Sequence, residues 1–211
     1  MKKRDWAIIF DFDGTIADTM DHIAEIMNEL SGEFGFDKIG KEKLEKIKGE
    51  RSEKAFEKMG LPGTGISLLT KKIKFILGKR MKEIKPIKGM KEALTQLKEE
   101  GYQLGILTSS SSGNVSKFLK NNRWNLFDFI YCEDNMFNKD KAMNLLLKKE
   151  KLKPEQVFYV GDETRDIEAA KKSGVKTVAV TWGFNNKKIL LKEKPDYLIK
   201  KPKELLEIFI P

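Results

Sequence analysis

Cysteine, histidine and long apolar runs are what this sequence has least of. It contains one cysteine, Cys132, and one histidine among its 211 residues, so no disulfide can form within the chain. No segment approaches the ~20 consecutive apolar residues that a membrane-spanning helix needs. The charged residues before the first apolar run leave no room for a signal peptide. These absences predict a cytoplasmic protein without a membrane partner.

Positive charge is in excess, with 41 lysines and arginines against 32 aspartates and glutamates, and a formal net charge of +9. The lysines alternate with glutamates, as in GKEKLEKIKGE, which is typical of solvated helix faces. No basic run is interleaved with aromatic residues, and no spacing fits a zinc site. We therefore expect an attraction for small anionic molecules rather than a nucleic acid partner.

Short apolar segments alternate with helical patterns along most of the chain. This alternation predicts an α/β fold, a Rossmann-like parallel sheet wound with helices. The predicted strands lie near 6–11, 103–108, 128–132, 157–161, 176–181 and 196–199. The predicted helices of this part lie near 88–100, 113–122, 140–150, 164–173 and 202–209.

The long interval between the first two predicted strands contains only amphipathic helical patterns. A direct crossover between parallel strands needs only about a dozen residues, so most of this interval is an insertion. We predict a core unit formed by residues 1–16 and 86–211 and a small α-helical cap formed by residues 17–85. Such a cap excludes water from a site and selects substrates.

Two carboxylates end the first predicted strand, in the segment IIFDFDGTIAD. Asp11 and Asp13 are two positions apart, so both can face one pocket at the sheet edge where open α/β folds bind ligands. Buried carboxylates are costly unless they are paired or bind a cation. One of them can attack an electrophile while the other moves a proton. Gly14 allows a sharp turn, and Thr15 supplies a hydroxyl.

The segment DFDGTIAD resembles the first motif, DxDGT, of the haloacid dehalogenase-like hydrolase superfamily, and in particular its phosphoglycolate phosphatase-like branch. The dehalogenases lack an aspartate at the second position, whereas phosphotransfer members have it. The resemblance therefore implies phosphoryl chemistry. It makes Asp11 the nucleophile and Asp13 the acid–base group, with Gly14 and Thr15 against the substrate phosphate.

The second motif of that superfamily is an apolar strand that ends in Thr or Ser. QLGILT, followed by a serine-rich run, is similar to it. The resemblance implies that Thr108 and the backbone N–H of Ser109 hold a phosphoryl oxygen. For the following serines, residues 110–112, a role in capping the next helix is the simpler interpretation.

The third motif is a single basic residue, and FNKDKAMNLLLKK offers two. Lys139 is chosen because it lies six residues before Leu145, as the lysine of the family's KPxPxxL pattern lies before its leucine. An ammonium near the nucleophile would offset the charge of carboxylates and phosphate. The alternative is a solvated lysine at a helix start, which is the role expected for Lys141.

The fourth motif, GDxxxD, resembles GDETRD at the end of the predicted strand VFYV. Asp162 ends the strand and Asp166 follows one helical turn later on the same side. Hard divalent cations prefer oxygen ligands. The resemblance implies Mg²⁺ as cofactor, bound by Asp11, the Asp13 backbone carbonyl and Asp162. Asp166 either binds it directly or holds a water or the Lys139 ammonium.

Three residues outside the matched motif positions are assigned from their place in the sequence alone. Arg51, in the KGER segment between two helical patterns, lies where a cap loop can face the phosphate pocket, although a solvated turn is an equal alternative. Glu163 and Arg165 are expected to face solvent or the cap.

Together these patterns predict a magnesium-dependent phosphatase that hydrolyses a small phosphorylated metabolite through an aspartyl-phosphate, as a monomer or homodimer. A phosphomutase of the β-phosphoglucomutase type, which returns the phosphoryl group to a sugar, is one alternative. A non-catalytic binding module on the same fold is the other, and the intact set of carboxylates argues against it. The motifs do not specify the substrate.

Overall fold

A parallel sheet forms the centre of the protein. The computed structural model describes residues 5–61, 63–133 and 138–210, and the remaining parts of the two predicted units lie outside the described residues. The described residues form one six-stranded sheet in the order β3-β2-β1-β4-β5-β6. Its strands are β1 (Ala7–Phe10), β2 (Gln103–Thr108), β3 (Phe129–Cys132), β4 (Val157–Gly161), β5 (Lys176–Val180) and β6 (Tyr197–Ile199). The predicted α/β fold is confirmed.

Strand β1 lies at the centre of the sheet and is buried along its whole length. It pairs in parallel with β2 on one side and β4 on the other, with Phe10 opposite Ile106 and Val160. Its side chains alternate between two apolar clusters, Ile8 and Phe10 in one and Ala7 and Ile9 in the other. A strand covered on both faces needs a continuous apolar run, which explains its composition. Because the strands are parallel, the ends of β1, β2 and β4 meet at one edge.

Four helices lie within the interval 17–85 among the described residues, in agreement with the helical patterns predicted there. They are α1 (Met20–Phe34), α2 (Lys41–Lys48), α3 (Ser52–Lys58) and α4 (Gly63–Arg80). The two connections to this group run side by side. The N–H of Asp18 donates to the Lys85 carbonyl at 2.9 Å, and the N–H of Ile87 donates to the Ile16 carbonyl at 2.9 Å. The predicted boundaries between core and cap fall at this paired crossing, and the division into two units stays a prediction.

The remaining described helices cover the two faces of the sheet. They are α5 (Met90–Glu99), α6 (Ser112–Asn122), α7 (Lys139–Lys149), α8 (Thr164–Lys172), α9 (Lys187–Lys192) and α10 (Glu204–Phe209). Helix α6 starts after Ser111, whose hydroxyl accepts a hydrogen bond from the Asn114 N–H at 3.2 Å, so this serine has a capping role. Helices α6, α7 and α8 all start at the edge where β1 ends. Among the described helices, none combines the length and apolar character required to traverse a bilayer.

Candidate active site

Three buried carboxylates converge where β1 and β4 end. Asp11 directly follows β1, and its N–H donates to the Val160 carbonyl at 2.8 Å, which extends the sheet pairing by one residue. Asp162 directly follows β4, and Asp166 lies in the first turn of α8. Each is at most 2% exposed, and one carboxylate oxygen from each lies within 4.8 Å of the others. The first and fourth motifs thus meet because their strands are neighbours.

The Lys139 ammonium lies among these carboxylates. It is 3.0 Å from Asp11 Oδ2 and forms a second ion pair with Asp166 Oδ1. Burial lowers the pKa of Lys139, but the negative charges of Asp11 and Asp166 outweigh it and raise the pKa above its ordinary value. The lysine therefore stays charged. Lys141, two residues further on, is exposed.

Asp166 has two structural contacts besides its proximity to the other carboxylates. Its Oδ1 binds Lys139, and its Oδ2 accepts a hydrogen bond from the Glu163 N–H at 2.9 Å. The second contact is half of a capping box that starts α8. The ion pair with Lys139 is the contact expected for one of the roles left open for Asp166, that of holding the lysine.

The Asp162 carboxylate is oriented from both sides. The Thr15 hydroxyl donates to Oδ1 at 2.7 Å, and the Phe184 N–H donates to Oδ2 at 2.7 Å. Gly14 lies directly against this carboxylate, with a φ of 73°. A Cβ atom at this position would lie 2.5 Å from Asp162 Oδ2, so both the turn and the close approach require glycine. The Trp182 indole donates to the Thr15 carbonyl at 3.2 Å and braces the same turn.

The carboxylate cluster fits a hard divalent cation. Asp11 Oδ1 is buried and has no hydrogen-bond partner among the residues that the structure describes. Burial raises the pKa of Asp162 well above its usual range, and the charges of Asp166, Glu163 and Asp11 add to the rise. Burial also raises the pKa of Asp166, to about 6. A bound cation would offset this clustered negative charge, and oxygen-only donors are those that Mg²⁺ prefers.

Asp13 is not part of this carboxylate cluster, although it lines the same cavity as Asp11. It is half-buried, and burial together with the Asp11 charge raises its pKa to about 6. The Ser110 and Thr19 hydroxyls and the Lys74 ammonium act in the opposite direction. A carboxyl with a pKa near 6 can both give and take a proton near neutral pH.

The second motif lies beside Asp11 at the end of β2. The Thr108 hydroxyl accepts a hydrogen bond from the Ser110 N–H at 3.0 Å, which folds the loop back over the strand end. The Ser109 hydroxyl accepts a long hydrogen bond, at 3.4 Å, from the Arg165 guanidinium. The loop therefore presents Ser109 to the same space as Asp11 and Asp13.

Glu163 and Arg165 are largely buried and face the cap. Their side chains are each 13% exposed and are ion-paired at 2.6 Å, and the Ser52 hydroxyl of α3 donates to Glu163. Sequence reasoning left open whether they face solvent or the cap, because the burial of a first-turn side chain depends on what packs above it. Their position next to a strand-end aspartate was the available signal.

Arg51 lies elsewhere than the phosphate pocket that we expected for it. Its guanidinium is 2.8 Å from Glu193 Oε1 and also pairs with Glu168 of α8, outside the set of described residues that line the cavity below. The loop that carries it is fixed by Asn185, whose amide donates to the Lys48 and Glu50 carbonyls at 3.2 and 2.8 Å. This docking is consistent with Arg51 pairing with acidic residues of the core rather than lining the cavity.

A cavity of about 170 Å³ lies between the sheet edge and α1–α4. The sheet edge contributes Asp11, Asp13 and Ser109 to the lining of this cavity. Lys48 and Lys74 of the cap helices also line it. Lys48 begins the KGER segment that was expected to face this pocket, whereas sequence reasoning missed Lys74 because nothing in the sequence distinguishes it from the many solvated lysines. The cavity provides space for a small molecule directly on the carboxylates.

Comparison with known proteins agrees with this geometry. Residues 8–180 match the family model described as haloacid dehalogenase-like hydrolase. A phosphoglycolate phosphatase from Synechococcus elongatus is 35% identical over 202 residues, which cover 95% of each chain. A pyrophosphatase, PpaX, from Bacillus velezensis is 29% identical over 219 residues, which cover 98% of this chain and 97% of that one.

A solved structure shows the same architecture. A haloacid dehalogenase-like family hydrolase from Streptococcus pneumoniae superposes with a TM-score of 0.81 at 27% identity. The match covers 97% of this chain and 98% of that one, so it includes both the sheet and the inserted helices.

Proposed function

We propose that this protein hydrolyses a small phosphomonoester with magnesium through an aspartyl-phosphate intermediate. The chain belongs to the haloacid dehalogenase-like hydrolase family and is a phosphatase. One observation carries the proposal: Asp11 follows the central strand, is ion-paired with Lys139 at 3.0 Å, and opens onto a cavity. The relatives named phosphoglycolate phosphatase and pyrophosphatase support a small phosphorylated substrate.

Asp11 is the proposed nucleophile. Its carboxylate attacks phosphorus in line with the departing oxygen, and the phosphorus–oxygen bond to the leaving group breaks as the new bond forms. Asp13 gives its proton to the leaving oxygen. It then takes a proton from the water that attacks the aspartyl-phosphate, which releases phosphate and restores Asp11. The pKa of Asp13, raised to about 6 by burial and by Asp11, suits both steps.

Positive charge and fixed donors supply the rest of the site. Lys139 orients the Asp11 carboxylate through their ion pair, while Thr108 and Ser109 provide donors for a phosphoryl oxygen. Mg²⁺ would be held by Asp11, the Asp13 backbone carbonyl and Asp162, and when bound would neutralise charge on the phosphoryl oxygens. Asp166 acts through Lys139, whose ammonium it positions.

A phosphomutase remains the second candidate, and one observation favours it. Lys74, on cap helix α4, lines the cavity, and its charge lowers the pKa of Asp13. A cationic cap side chain beside the acid–base group is what a mutase needs in order to orient a sugar hydroxyl. Incubation with a hexose 1-phosphate separates the two functions, since a mutase yields the isomeric phosphate and a phosphatase yields free phosphate.

The test of the phosphatase is a screen of phosphorylated metabolites with magnesium, which includes phosphoglycolate, pyrophosphate, sugar phosphates and nucleotides. Asp11→Asn is the matched control, because it removes the attacking charge with little change in volume. We expect turnover of at least one ester by the wild type and a loss of about a hundredfold or more in the variant. A variant that kept a tenth of the activity would exclude Asp11 as nucleophile.

A further inference from the structure

The cavity above Asp11 has two chemically different ends. The core contributes mainly charged or hydroxyl side chains, among them Asp11, Asp13 and Arg165. The cap helices contribute mainly hydrocarbon side chains. Six of these carry the argument: Ile23 and Met27 of α1, Leu44 and Ile47 of α2, Phe56 of α3 and Ile73 of α4.

These cap side chains are not all sealed within the apolar core. Ile23, Met27, Leu44, Ile47 and Phe56 are only partly buried although they pack against the core cluster. They all line the cavity, so apolar surface remains free on its cap side. Apolar surface that is withdrawn from water by a ligand contributes favourably in proportion to its area.

A phosphoryl group placed on Asp11 directs its leaving group towards these side chains, because the core residues occupy the other end. Phosphoglycolate and pyrophosphate carry negative charge on that leaving group. Among the described cap residues that line the cavity, Lys48 and Lys74 are the cations that could pair with it, and against the hydrocarbon side chains such a charge loses its hydration without a partner. The size also fits a hydrocarbon, since an apolar cavity of about 150 Å³ accommodates benzene and this cavity measures about 170 Å³.

We infer that this site takes phosphomonoesters whose alcohol is apolar, a short alkyl chain or a single ring. The phosphoryl group lies on Asp11, and the hydrocarbon packs against Ile23, Leu44 and Phe56. The inference rests on the proposed phosphatase function and specifies its substrate class. It separates this chain from its named relatives by the apolar character of the leaving group.

A series of straight-chain alkyl phosphates, from methyl to hexyl, measures this preference. The alcohols along the series have nearly equal acidity, so a change in kcat/KM reports contacts of the chain rather than leaving-group reactivity. Each added methylene that becomes buried should raise kcat/KM by about fourfold, until the cavity is full. Hydrolysis of phosphoglycolate is the reference for a polar leaving group, and we expect it to be slower than hydrolysis of the longer alkyl esters.

Two leucine variants place the effect in the cavity. Leu44→Gln puts an amide on the cavity wall, whereas Leu68→Gln makes the same change on α4 at a side chain that is 52% exposed. We expect Leu44→Gln to flatten the dependence on chain length while methyl phosphate is still hydrolysed. Leu68→Gln should keep the wild-type dependence. If both variants kept it, the hydrocarbon would not bind in this cavity.

Calorimetric binding of the same esters to Asp11→Asn with magnesium separates failure of this inference from failure of the phosphatase function. Hydrolysis of phosphoglycolate with no dependence on alkyl length overturns the inference and leaves the phosphatase standing. Binding to Asp11→Asn that tightens with chain length, without wild-type hydrolysis of any ester, supports the apolar site and overturns the phosphatase. Neither hydrolysis nor length-dependent binding overturns both.

Discussion

At the scale of single residues, the two lysines at the start of α7 differ most clearly. Lys139 is buried against Asp11 and Asp166, whereas Lys141 is exposed. Loss of a group that stabilises transition-state charge costs about a hundredfold or more in rate, while loss of a solvated side chain costs almost nothing. We expect Lys139→Ala to lose that much in kcat and Lys141→Ala to match the wild type, measured by phosphate release under saturating magnesium.

Lys139→Ala also leaves two carboxylates without their partner, so it requires a stability control. Circular dichroism and thermal unfolding of both variants establish whether the fold is kept, and Lys139→Arg tests whether charge alone suffices. The opposite ranking of the two lysines would assign the third motif to Lys141. Small and equal losses would mean that the positive charge comes from elsewhere, and Arg165 at the cavity would be the first candidate.

Residues at strand ends are those that the sequence predicts best. Asp11, Thr108 and Asp162 each directly follow or end a buried apolar run, and parallel strands carry such positions to one edge. Arg51 was placed differently because its loop is docked by Asn185, a residue from a distant part of the chain. No local pattern contains that contact.

At the scale of elements, β5 and β6 are joined by a charged contact that gives a pH-dependent stability. The Thr177 N–H and hydroxyl donate to Asp196 Oδ2 at 2.8 and 2.7 Å. Partial burial raises the pKa of Asp196, but these hydrogen bonds outweigh it and hold the pKa below its usual value. The native state therefore favours the charged carboxylate, and its contribution is present above the unfolded pKa and lost as pH falls through the folded one.

Asp196→Asn should accordingly lower the free energy of unfolding by about 1 kcal/mol at neutral pH, since the contact is solvent-exposed and screened. The difference from the wild type should shrink as the pH falls below about 4. Urea unfolding at several pH values measures it. Thr177→Val removes the hydroxyl donor and should show part of the same trend, and a difference that stayed constant with pH would contradict this account.

The connection between α2 and α3 is the element whose placement most depends on tertiary contacts. The sequence predicts a break at KGER, between two helical patterns, and the structure ends α2 at Lys48 and starts α3 at Ser52. Asn185 donates to two carbonyls of this loop and accepts a hydrogen bond from the Thr164 N–H at 2.9 Å. A single buried amide thus ties the loop of the cap helices to the start of α8.

Asn185→Ala should loosen this loop, because the Glu50 carbonyl and the Thr164 N–H lose the Asn185 amide at a cost of about 1–3 kcal/mol each where they stay buried. The Lys48 carbonyl keeps only the hydrogen bond from the Asn186 N–H. We expect faster tryptic cleavage after Lys48 and Arg51, read by mass spectrometry. Asn186→Ala is the matched control, since it removes the side-chain cap of α9 at the Ile189 N–H but keeps the backbone hydrogen bond from residue 186 to the Lys48 carbonyl. Equal cleavage in both variants would show that Asn185 does not fix the loop.

At the scale of the whole molecule, sheet order is what turns scattered motifs into one site. The alternation of strands and helices predicted a parallel sheet, and the described strands agree with it within about a residue at each end. The order β3-β2-β1-β4-β5-β6 was not predicted, because strand sequence does not specify which neighbours pair. That order places Asp11 between Thr108 and Asp162 and leaves one concentrated negative charge at the centre of the edge.

This concentrated charge should make the protein's stability depend on magnesium. A ligand that binds only the folded state, present at a hundred times its Kd, stabilises that state by about 2.7 kcal/mol, which corresponds to roughly 5–10 °C in Tm for a chain of this size.

Without magnesium, Asp162→Asn should be at least as stable as the wild type at neutral pH, because burial raises the pKa of Asp162 well above its usual range and the variant removes that unfavourable charge. Added magnesium should raise the Tm of Asp162→Asn only a little. It should raise the Tm of Asp13→Asn as much as that of the wild type, since only the backbone carbonyl of residue 13 is assigned to the metal. The turnover of Asp13→Asn should nevertheless collapse. Thermal unfolding of the three proteins over a magnesium titration measures these gains, and equal gains in all three would remove Asp162 from the metal site.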